Sequence, residues 1–204
     1  MTTPTAPIAL LLAAGRGSRF GDHEEKLLQP FIHHDGRPGM VATATAAALL
    51  EVMPVLAVVH AEGPLAEALR QAGCTVCLTA QEAAREMSAS LRCALQQSAD
   101  ASAWLVALAD MPRVQPDTLR QLRDALAAGA SMVVPVMQGR RGNPAGFAQV
   151  HLPALLSLRG DRGARALLES PALVEIAVED AGIFADVDTP EDLHRLRGTL
   201  FRSR

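Results

Sequence analysis

A glycine-rich turn with neighbouring cations carries the clearest chemical signal in the chain. The turn Gly15-Arg16-Gly17-Ser18-Arg19 directly follows an apolar run, residues 8–14, that is typical of a buried strand. Because glycine has no Cβ, the backbone N–H groups of such a turn can converge on a bound anion. Arg16, Arg19 and Lys26 place positive charge beside the turn, and a polyphosphate gains most from this arrangement. The segment therefore predicts a nucleoside triphosphate site.

Two acidic segments supply candidate metal ligands. Asp110 directly follows the apolar run Ala107-Leu108-Ala109, and a carboxylate at the end of a buried strand is costly to desolvate without a partner. Asp186 and Asp188 lie two residues apart, so they share one face of an extended segment. Carboxylates from distant segments that meet at the glycine-rich turn suit Mg²⁺ bound to phosphates. For Asp110, capping of the next turn stays open as an alternative.

An alternation of strand and helix patterns must position these residues. Apolar runs predict strands at 8–14, 55–60, 74–78, 104–109, 132–137, 174–178 and 183–187. Helical patterns cover 40–50, 64–72, 88–97, 116–128 and 190–200, two short helices flank 160–163, and 142–147 is turn-rich. This alternation predicts right-handed βαβ units, and hence a three-layer α/β fold with a doubly wound, mainly parallel, Rossmann-like sheet. Ligands of such sheets bind at the carboxyl ends of the strands, where strand order reverses.

Composition excludes several classes of protein. The 204 residues predict one domain, 1–204, with a tail at 1–7, and 49% apolar with 20% charged residues is ordinary for a globular protein. A net charge of −3 gives no general attraction to nucleic acid or to anionic membranes. No apolar run reaches the ~18 residues that span a bilayer, and no signal-peptide pattern is present. We therefore expect a cytoplasmic protein with neither nucleic acid nor membrane as a partner.

The cysteines give little sign of a function. Cys74, Cys77 and Cys93 are odd in number, which argues against a disulfide framework. Cys74 and Cys77 form a C-x-x-C motif, but a redox motif needs its first cysteine at a helix N-terminus. The surrounding pattern is that of a short strand, which would point the two thiols to opposite faces. We interpret all three as core residues.

Six segments, in this order, resemble the nucleotidyltransferases that activate molybdenum cofactor, within the MobA-like NTP transferase family. The segments are residues 12–26, 87–91, 108–112, 141–147, 160–165 and 186–192. The first and third segments also occur in sugar-phosphate and isoprenoid-pathway nucleotidyltransferases. The order of the six segments, together with Gly-Asp-Arg-Gly-Ala-Arg, favours the molybdenum cofactor nucleotidyltransferases among these groups. Within the family, Ala13-Ala14-Gly15 is similar to the cytidylyl branch rather than to the guanylyl branch.

The resemblance implies a nucleotidyltransferase fold and a transfer of CMP from CTP to the phosphate of molybdopterin, with release of pyrophosphate. It also implies Mg²⁺ bound by Asp110 and Asp188, and a molybdoenzyme of the xanthine dehydrogenase type as a further partner. The implied nucleotide-binding residues are Leu12, Ala13, Ala14, Gly15, Arg16, Gly17, Arg19, Lys26, Ser88, Ser90 and Asp110. The implied catalytic residues are Arg19, Lys26, Asp110 and Asp188, and the implied acceptor-binding residues are Asn143, Asp161 and Arg165. For Ser88 and Ser90, a helix N-cap is the alternative.

Such a transfer needs no general base, because a phosphate monoester is already anionic near neutral pH. Positioning two polyanions and neutralising their repulsion is then sufficient for catalysis. One alternative is a related transferase that uses GTP or another phosphorylated acceptor, and another is a chaperone that carries molybdenum cofactor without chemistry. A pure binding protein has no need of the metal carboxylates, which disfavours the chaperone.

A dinucleotide-binding oxidoreductase is a third alternative. The spacing of Gly15, Gly17 and Gly21 approaches the dinucleotide-binding fingerprint, but the third glycine is displaced by one residue. His60 also stands at the end of the second strand, where an acidic ribose ligand is expected. Both departures disfavour this class.

Overall fold

Strands and helices alternate along most of the chain. The computed structural model describes residues 6–14, 23–79 and 87–198, and of these 23–25, 161–163, 165 and 166 without their side chains. The strands are β1 (Ile8–Leu12), β2 (Pro30–Ile32), β3 (Pro38–Met40), β4 (Val55–Val59), β5 (Thr75–Leu78), β6 (Ala103–Leu108), β7 (Met132–Met137), β8 (Arg140–Arg141), β9 (Ala145–Ala148) and β10 (Leu173–Ala177). The helices are α1 (His23–Leu28), α2 (Val41–Leu50), α3 (Pro64–Gln71), α4 (Met87–Gln97), α5 (Pro116–Ala127), α6 (Leu152–Ser157) and α7 (Pro190–Gly198), with 3₁₀ turns at Gln149–His151, Gly160–Glu169 and Ala181–Phe184.

The main sheet is mainly parallel and doubly wound, as the sequence predicts. In the described part of the chain its order is β10-β7-β9-β6-β1-β4-β5, with β8 paired to β7, while β2 and β3 form a separate hairpin. Strand β9 runs antiparallel to both β6 and β7, and β8 runs antiparallel to β7. The chain passes from β1 outward to β4 and β5, and then returns to β6 on the other side of β1. Strand order therefore reverses at β1, which makes this the expected ligand-binding point.

Two apolar layers cover the faces of the sheet. One layer packs β1, β4 and β6 against α2, α3, α5 and α7, with Leu11 and Leu105 fully buried. The other packs the opposite face against α4 and α6, around Leu10 and Trp104. Strands covered on both faces read as continuous apolar runs, and this explains why the sequence identified β1, β4 and β6 within a residue or two.

The sequence predicts a turn-rich segment at 142–147, but part of this segment forms a strand. Residues 145–148 form β9, which inserts between β6 and β7. A Cβ on Gly146 would come within 2.5 Å of Val133 and 2.8 Å of Leu126, so this strand depends on a residue without a side chain. A four-residue strand with glycine at its second position carries too little periodicity to be recognised.

Two further segments differ from the predictions. Residues 183–187 do not form a strand; the chain makes a 3₁₀ turn at Ala181–Phe184, because the carboxylate of Asp180 accepts the backbone N–H of Gly182 at 2.8 Å. The two short helices expected around 160–163 are replaced by α6 and by one 3₁₀ helix, Gly160–Glu169, which includes those four residues. Within the described ranges, no helix is long and apolar enough to cross a membrane.

Candidate functional site

The first part of the site lies where β1 and β6 end side by side. Leu12 and Leu108 are paired in the parallel register, and the backbone N–H of Ala109 donates to the carbonyl of Leu12 at 3.1 Å. Ala13 and Ala14 continue from β1 and are both buried. The predicted nucleotide residues Leu12, Ala13 and Ala14 therefore lie at the carboxyl edge of the sheet, where strand order reverses. Gly15, Arg16, Gly17 and Arg19 lie outside the described residues.

Asp110 follows β6 and is fixed by backbone contacts on both sides. The hydroxyl of Thr45 donates to the carbonyl of Ala109 at 3.0 Å, and the carbonyl of Asp110 accepts the backbone N–H of Val187 at 2.9 Å. The side chain of Asp110 is 17% exposed. The contact with Val187 also brings the distant acidic segment, residues 186–188, to the end of β6.

The acidic segment is held in place by hydrogen bonds of the residues that precede it in the chain. The carboxylate of Asp180 accepts the backbone N–H of Gln115 at 2.9 Å and the hydroxyl of Thr118 at 2.7 Å. The backbone N–H of Asn143 donates to the carbonyl of Ile183 at 3.0 Å. These bonds fasten residues 180–187 against the beginning of α5 and the end of β8, and they position Asp188.

Lys26 on α1 joins the two predicted metal carboxylates. Its ammonium lies 2.8 Å from Oδ2 of Asp110 and 3.6 Å from Oδ1 of Asp188. The side chain is only 2% exposed, and a buried lysine is rare unless it is paired. The structure thus brings Lys26, Asp110 and Asp188 into one group, although they are far apart in the sequence.

The electrostatics of this group favour an additional cation. Oδ1 of Asp110 is buried and finds no hydrogen-bond partner among the described residues, although a buried carboxylate oxygen normally has one. Loss of solvent raises the pKa of Asp186, and the negative charges of Asp188 and Asp110 raise it further. The described part of the site therefore carries more negative charge than Lys26 neutralises.

The donor set fits Mg²⁺ bound together with a substrate. Within the described ranges, no three acidic, histidine or cysteine side chains meet to form a complete protein site. Mg²⁺ is ordinarily held by one or two carboxylates, with water and substrate phosphates completing the octahedron. Asp110 and Asp188 match that pattern, because Oδ1 of Asp110 has no hydrogen-bond partner within the described ranges.

Neighbouring residues order the acidic segment. The hydroxyl of Thr189 donates to the Asp192 carboxylate at 2.9 Å, and the backbone N–H of Asp192 donates to the Thr189 hydroxyl at 3.1 Å. The bond from Thr189 lowers the pKa of Asp192. This reciprocal capping begins α7, and it fixes the chain immediately after Asp188.

Ser88 and Ser90 lie in the first turn of α4. Both are buried, and both are inside a helix that includes Met87. The N-cap alternative is therefore wrong for either serine, because an N-cap residue precedes the helix. Their predicted place beside the nucleotide stays a prediction, as do the acceptor contacts of Asn143.

The predicted acceptor residues lie on two segments. Asn143 lies beside the end of β6, since Ala145, two residues further on, pairs with Val106. Asp161 and Arg165 belong to the 3₁₀ helix Gly160–Glu169, but their side chains lie outside the described part of the structure.

Arg92 is a residue that the sequence did not single out. Its guanidinium donates to the carbonyl of Leu158 at 2.7 Å and lies 3.4 Å from the hydroxyl of Ser88. It thus connects α4 with the chain that enters Gly160–Glu169. The only signal in the sequence is its position one helical turn after Ser88.

A mainly parallel α/β sheet, with a buried lysine and two carboxylates at the edge where strand order reverses, defines a nucleotide-binding type of fold. The chain belongs to the MobA-like NTP transferase domain family, whose model matches residues 9–176. This membership confirms the predicted family and excludes the dinucleotide-binding oxidoreductase alternative.

Three known proteins illustrate the likeness. Purine catabolism protein PucB of Bacillus subtilis is 30% identical over 95% of this chain and 97% of its own. The crystal structure of Rv0371c from Mycobacterium tuberculosis is 29% identical over 96% of this chain and all of its own, with a TM-score of 0.77; its manganese complex is 28% identical, covers the same shares of both chains and has a TM-score of 0.74. A nucleotidyl transferase from Methanothermobacter is 24% identical over 98% of this chain and all of its own, with a TM-score of 0.76, and shows the fold alone.

Proposed function

We propose that this chain is a divalent-metal-dependent cytidylyltransferase that moves CMP from CTP to the phosphate of molybdopterin and releases pyrophosphate. One observation carries the proposal: the buried Lys26 ammonium contacts both Asp110 and Asp188 where strand order reverses. These residues lie at the edge of the sheet from which the glycine-rich segment continues. A carboxylate pair beside a nucleotide turn is the arrangement that a metal-bound triphosphate requires.

Asp110 and Asp188 would hold Mg²⁺. The ion, when bound, neutralises phosphate charge and polarises the phosphorus–oxygen bonds of the triphosphate. Oδ1 of Asp110, which has no hydrogen-bond partner in the described part of the chain, supports this assignment. The manganese complex of the Mycobacterium tuberculosis relative supports a divalent metal in general.

The protein's own part in the reaction is binding and orientation. An oxygen of the acceptor phosphate forms a bond to the α-phosphorus, and the bond from that phosphorus to the oxygen bridging the β-phosphorus breaks. Pyrophosphate leaves with the electron pair, and no proton has to move to a side chain. Lys26 holds the two carboxylates together and offsets their repulsion, while Arg19 would lie beside the triphosphate.

The choice of base and of acceptor follows from the resemblance of Ala13-Ala14-Gly15 to the cytidylyl branch and from the segment 160–165. The name of the Bacillus subtilis relative refers to purine catabolism, and xanthine is a purine. This supports a molybdoenzyme of the xanthine dehydrogenase type as the enzyme that receives the product.

Pyrophosphate release from CTP, GTP and ATP, with and without molybdopterin and with Mg²⁺, Mn²⁺ or a chelator, tests the proposal. We expect release only with CTP, molybdopterin and a divalent ion together. Faster turnover with GTP or with another phosphorylated acceptor would favour the related transferase. Tight binding of molybdenum cofactor without turnover would favour a carrier protein.

Asp110→Asn and Asp188→Asn test the metal assignment. Each should lower kcat/KM about 10²-fold, or ~3 kcal/mol of transition-state stabilisation, and should weaken Mn²⁺ binding measured by electron paramagnetic resonance. Asp117→Asn is the matched control, because its carboxylate is 87% exposed and contacts Arg120. Wild-type turnover in both site variants would overturn the assignment.

A further inference from the structure

Two cysteines outside the proposed active site lie against each other. Cys77 on β5 and Cys93 on α4 have their sulfur atoms 2.6 Å apart. The two sulfurs also lie 3.9 and 3.5 Å from the same carbonyl oxygen, that of Leu78. The pairing joins two different elements, so it is a feature of the tertiary structure and not of the C-x-x-C motif.

The third cysteine is separated from this pair. Cys74 packs in the apolar layer on the side of α2 and α3, whereas Cys77 packs in the layer on the side of α4. The expectation that the two thiols of the motif face opposite sides of the sheet is therefore confirmed. The interpretation as core residues is confirmed for Cys74 and Cys77, whereas Cys93 packs against the core but is only half-buried.

We propose that Cys77 and Cys93 form a dithiol site that small disulfide compounds oxidise to an intramolecular disulfide. A disulfide bond is about 2.05 Å long, so the two sulfurs need to approach by only about 0.6 Å. Closure would link α4, the helix that carries Ser88 and Ser90, covalently to the edge strand β5. This inference stands independently of the proposed transferase activity.

The two thiols have different parts in the reaction. Cys93 is accessible, so its sulfur attacks one sulfur of oxidised glutathione, forms a mixed disulfide and releases one glutathione. Cys77 is buried, and its burial raises the pKa of its thiol to about 12, so it does not start the exchange. Its sulfur then attacks that of Cys93, the second glutathione leaves, and both thiol protons end on the released glutathione molecules.

The experiment is incubation of the folded protein with oxidised glutathione, followed by unfolding, alkylation and intact mass measurement. We expect the three thiols of the reduced chain to fall to one, with the loss of two hydrogen atoms and recovery with dithiothreitol. Closing a loop of this length should also raise Tm by about 5–10 °C. Three free thiols, a stable adduct of glutathione, or a disulfide between two chains would overturn the proposal.

Single substitutions identify the partners. Cys93→Ser and Cys77→Ser should each abolish the loss of hydrogen and the rise in Tm. Cys93→Ser is the variant that disturbs folding less, because Cys93 is half-buried whereas Cys77 is buried. Cys74→Ser should respond like the wild type. This variant also resolves the peptide map, because trypsin leaves Cys74 and Cys77 together between Arg70 and Arg85. A Cys74→Ser protein that no longer forms the disulfide would contradict the assignment.

Discussion

Lys26 is the residue on which the geometry of the site depends most. A lysine that is 2% exposed keeps its charge at a tolerable cost only when charged partners surround it. Here one ammonium serves two carboxylates whose mutual repulsion would otherwise separate them. The same residue was expected beside the triphosphate, and its position allows both roles, because the metal and the phosphates would bind at one edge of the sheet.

Replacing Lys26 by methionine removes the charge and keeps most of the volume. We expect the free energy of unfolding to fall by about 3 kcal/mol, since two close carboxylates lose their counter-charge. Mg²⁺ should then stabilise the variant more than the wild type, because the ion supplies the missing charge. Thermal unfolding with and without MgCl₂, against NaCl of equal ionic strength, measures both effects.

Lys26→Arg is the matched control for that variant, since it retains the positive charge. Its response to Mg²⁺ should resemble that of the wild type. An equal shift of Tm by Mg²⁺ in the wild type and in Lys26→Met would show that the ion does not bind beside these carboxylates.

At the scale of elements, α4 and the segment 158–169 act together. Arg92 donates to the carbonyl of Leu158, and Leu167 and Leu168 pack against the same apolar layer as Leu91. The helix expected to contact the nucleotide thus supports the segment expected to contact the acceptor. We infer that Arg92 is a positioning residue, because its guanidinium connects α4 with the chain that enters Gly160–Glu169.

Arg92→Ala should therefore change KM for the acceptor but not KM for the nucleotide. Loss of this partly buried, charged hydrogen bond costs about 1.5 kcal/mol, so we expect KM for the acceptor to rise about tenfold while KM for CTP stays constant. Hydrogen exchange over 158–169 should become faster, and Arg92→Lys should restore part of the acceptor KM. Steady-state kinetics with each substrate varied in turn measures the difference.

The control is Arg123→Ala, which removes a comparable bond on the other face of the sheet, where Arg123 donates to the carbonyl of Val52 at 3.0 Å. It should leave both KM values unchanged. Equal increases of both KM values in Arg92→Ala would contradict the positioning role.

The elements were predictable where burial is uniform or periodic. Strands covered on both faces, such as β1 and β4, and amphipathic helices such as α5 show directly in the residue pattern. Strand β9 and the turn at 181–184 do not show in the residue pattern. They depend on Gly146 and Gly182, which pack closely against residues from distant segments. Likewise Asp110 and Asp188 could be chosen from their chemistry, whereas the bridge from Arg92 to Leu158 exists only after folding.

At the scale of the whole molecule, the chain returns after β10 to complete the site begun by β1 and β6. Gly182 lies against the carbonyl of Arg113, which a Cβ would overlap, and a Cβ on Gly142 would come within 2.6 Å of Ile183. With the bond from Val187 to Asp110, these close contacts fix where Asp188 lies. The position of one of the two carboxylates that contact Lys26 is thus set by packing that involves no ligand.

Gly182→Ala should disturb this packing. We expect a loss of about 2 kcal/mol in the free energy of unfolding from the overlap, and a larger loss of turnover than that destabilisation explains, because Asp188 moves away from Asp110. Urea unfolding and pyrophosphate release under conditions where the variant is fully folded measure the two effects.

Gly198→Ala is the control, because no atom of the described residues lies within 4 Å of the position of its Cβ. It should leave turnover unchanged and stability equal or slightly higher. Wild-type turnover in folded Gly182→Ala would show that Asp188 is not held by this contact.

The reversal of strand order at β1 has a consequence for how such a protein can diversify. Residues 8–79 build one half of the main sheet and residues 103–177 the other, and the loops of each half can lengthen or change without altering the strands of its neighbour. The ion pairs of Lys26 with Asp110 and Asp188 join the first half to the later half and to the segment that follows it. A later half grafted with that segment from a homologue should therefore give a working protein only where it retains both carboxylate partners of Lys26.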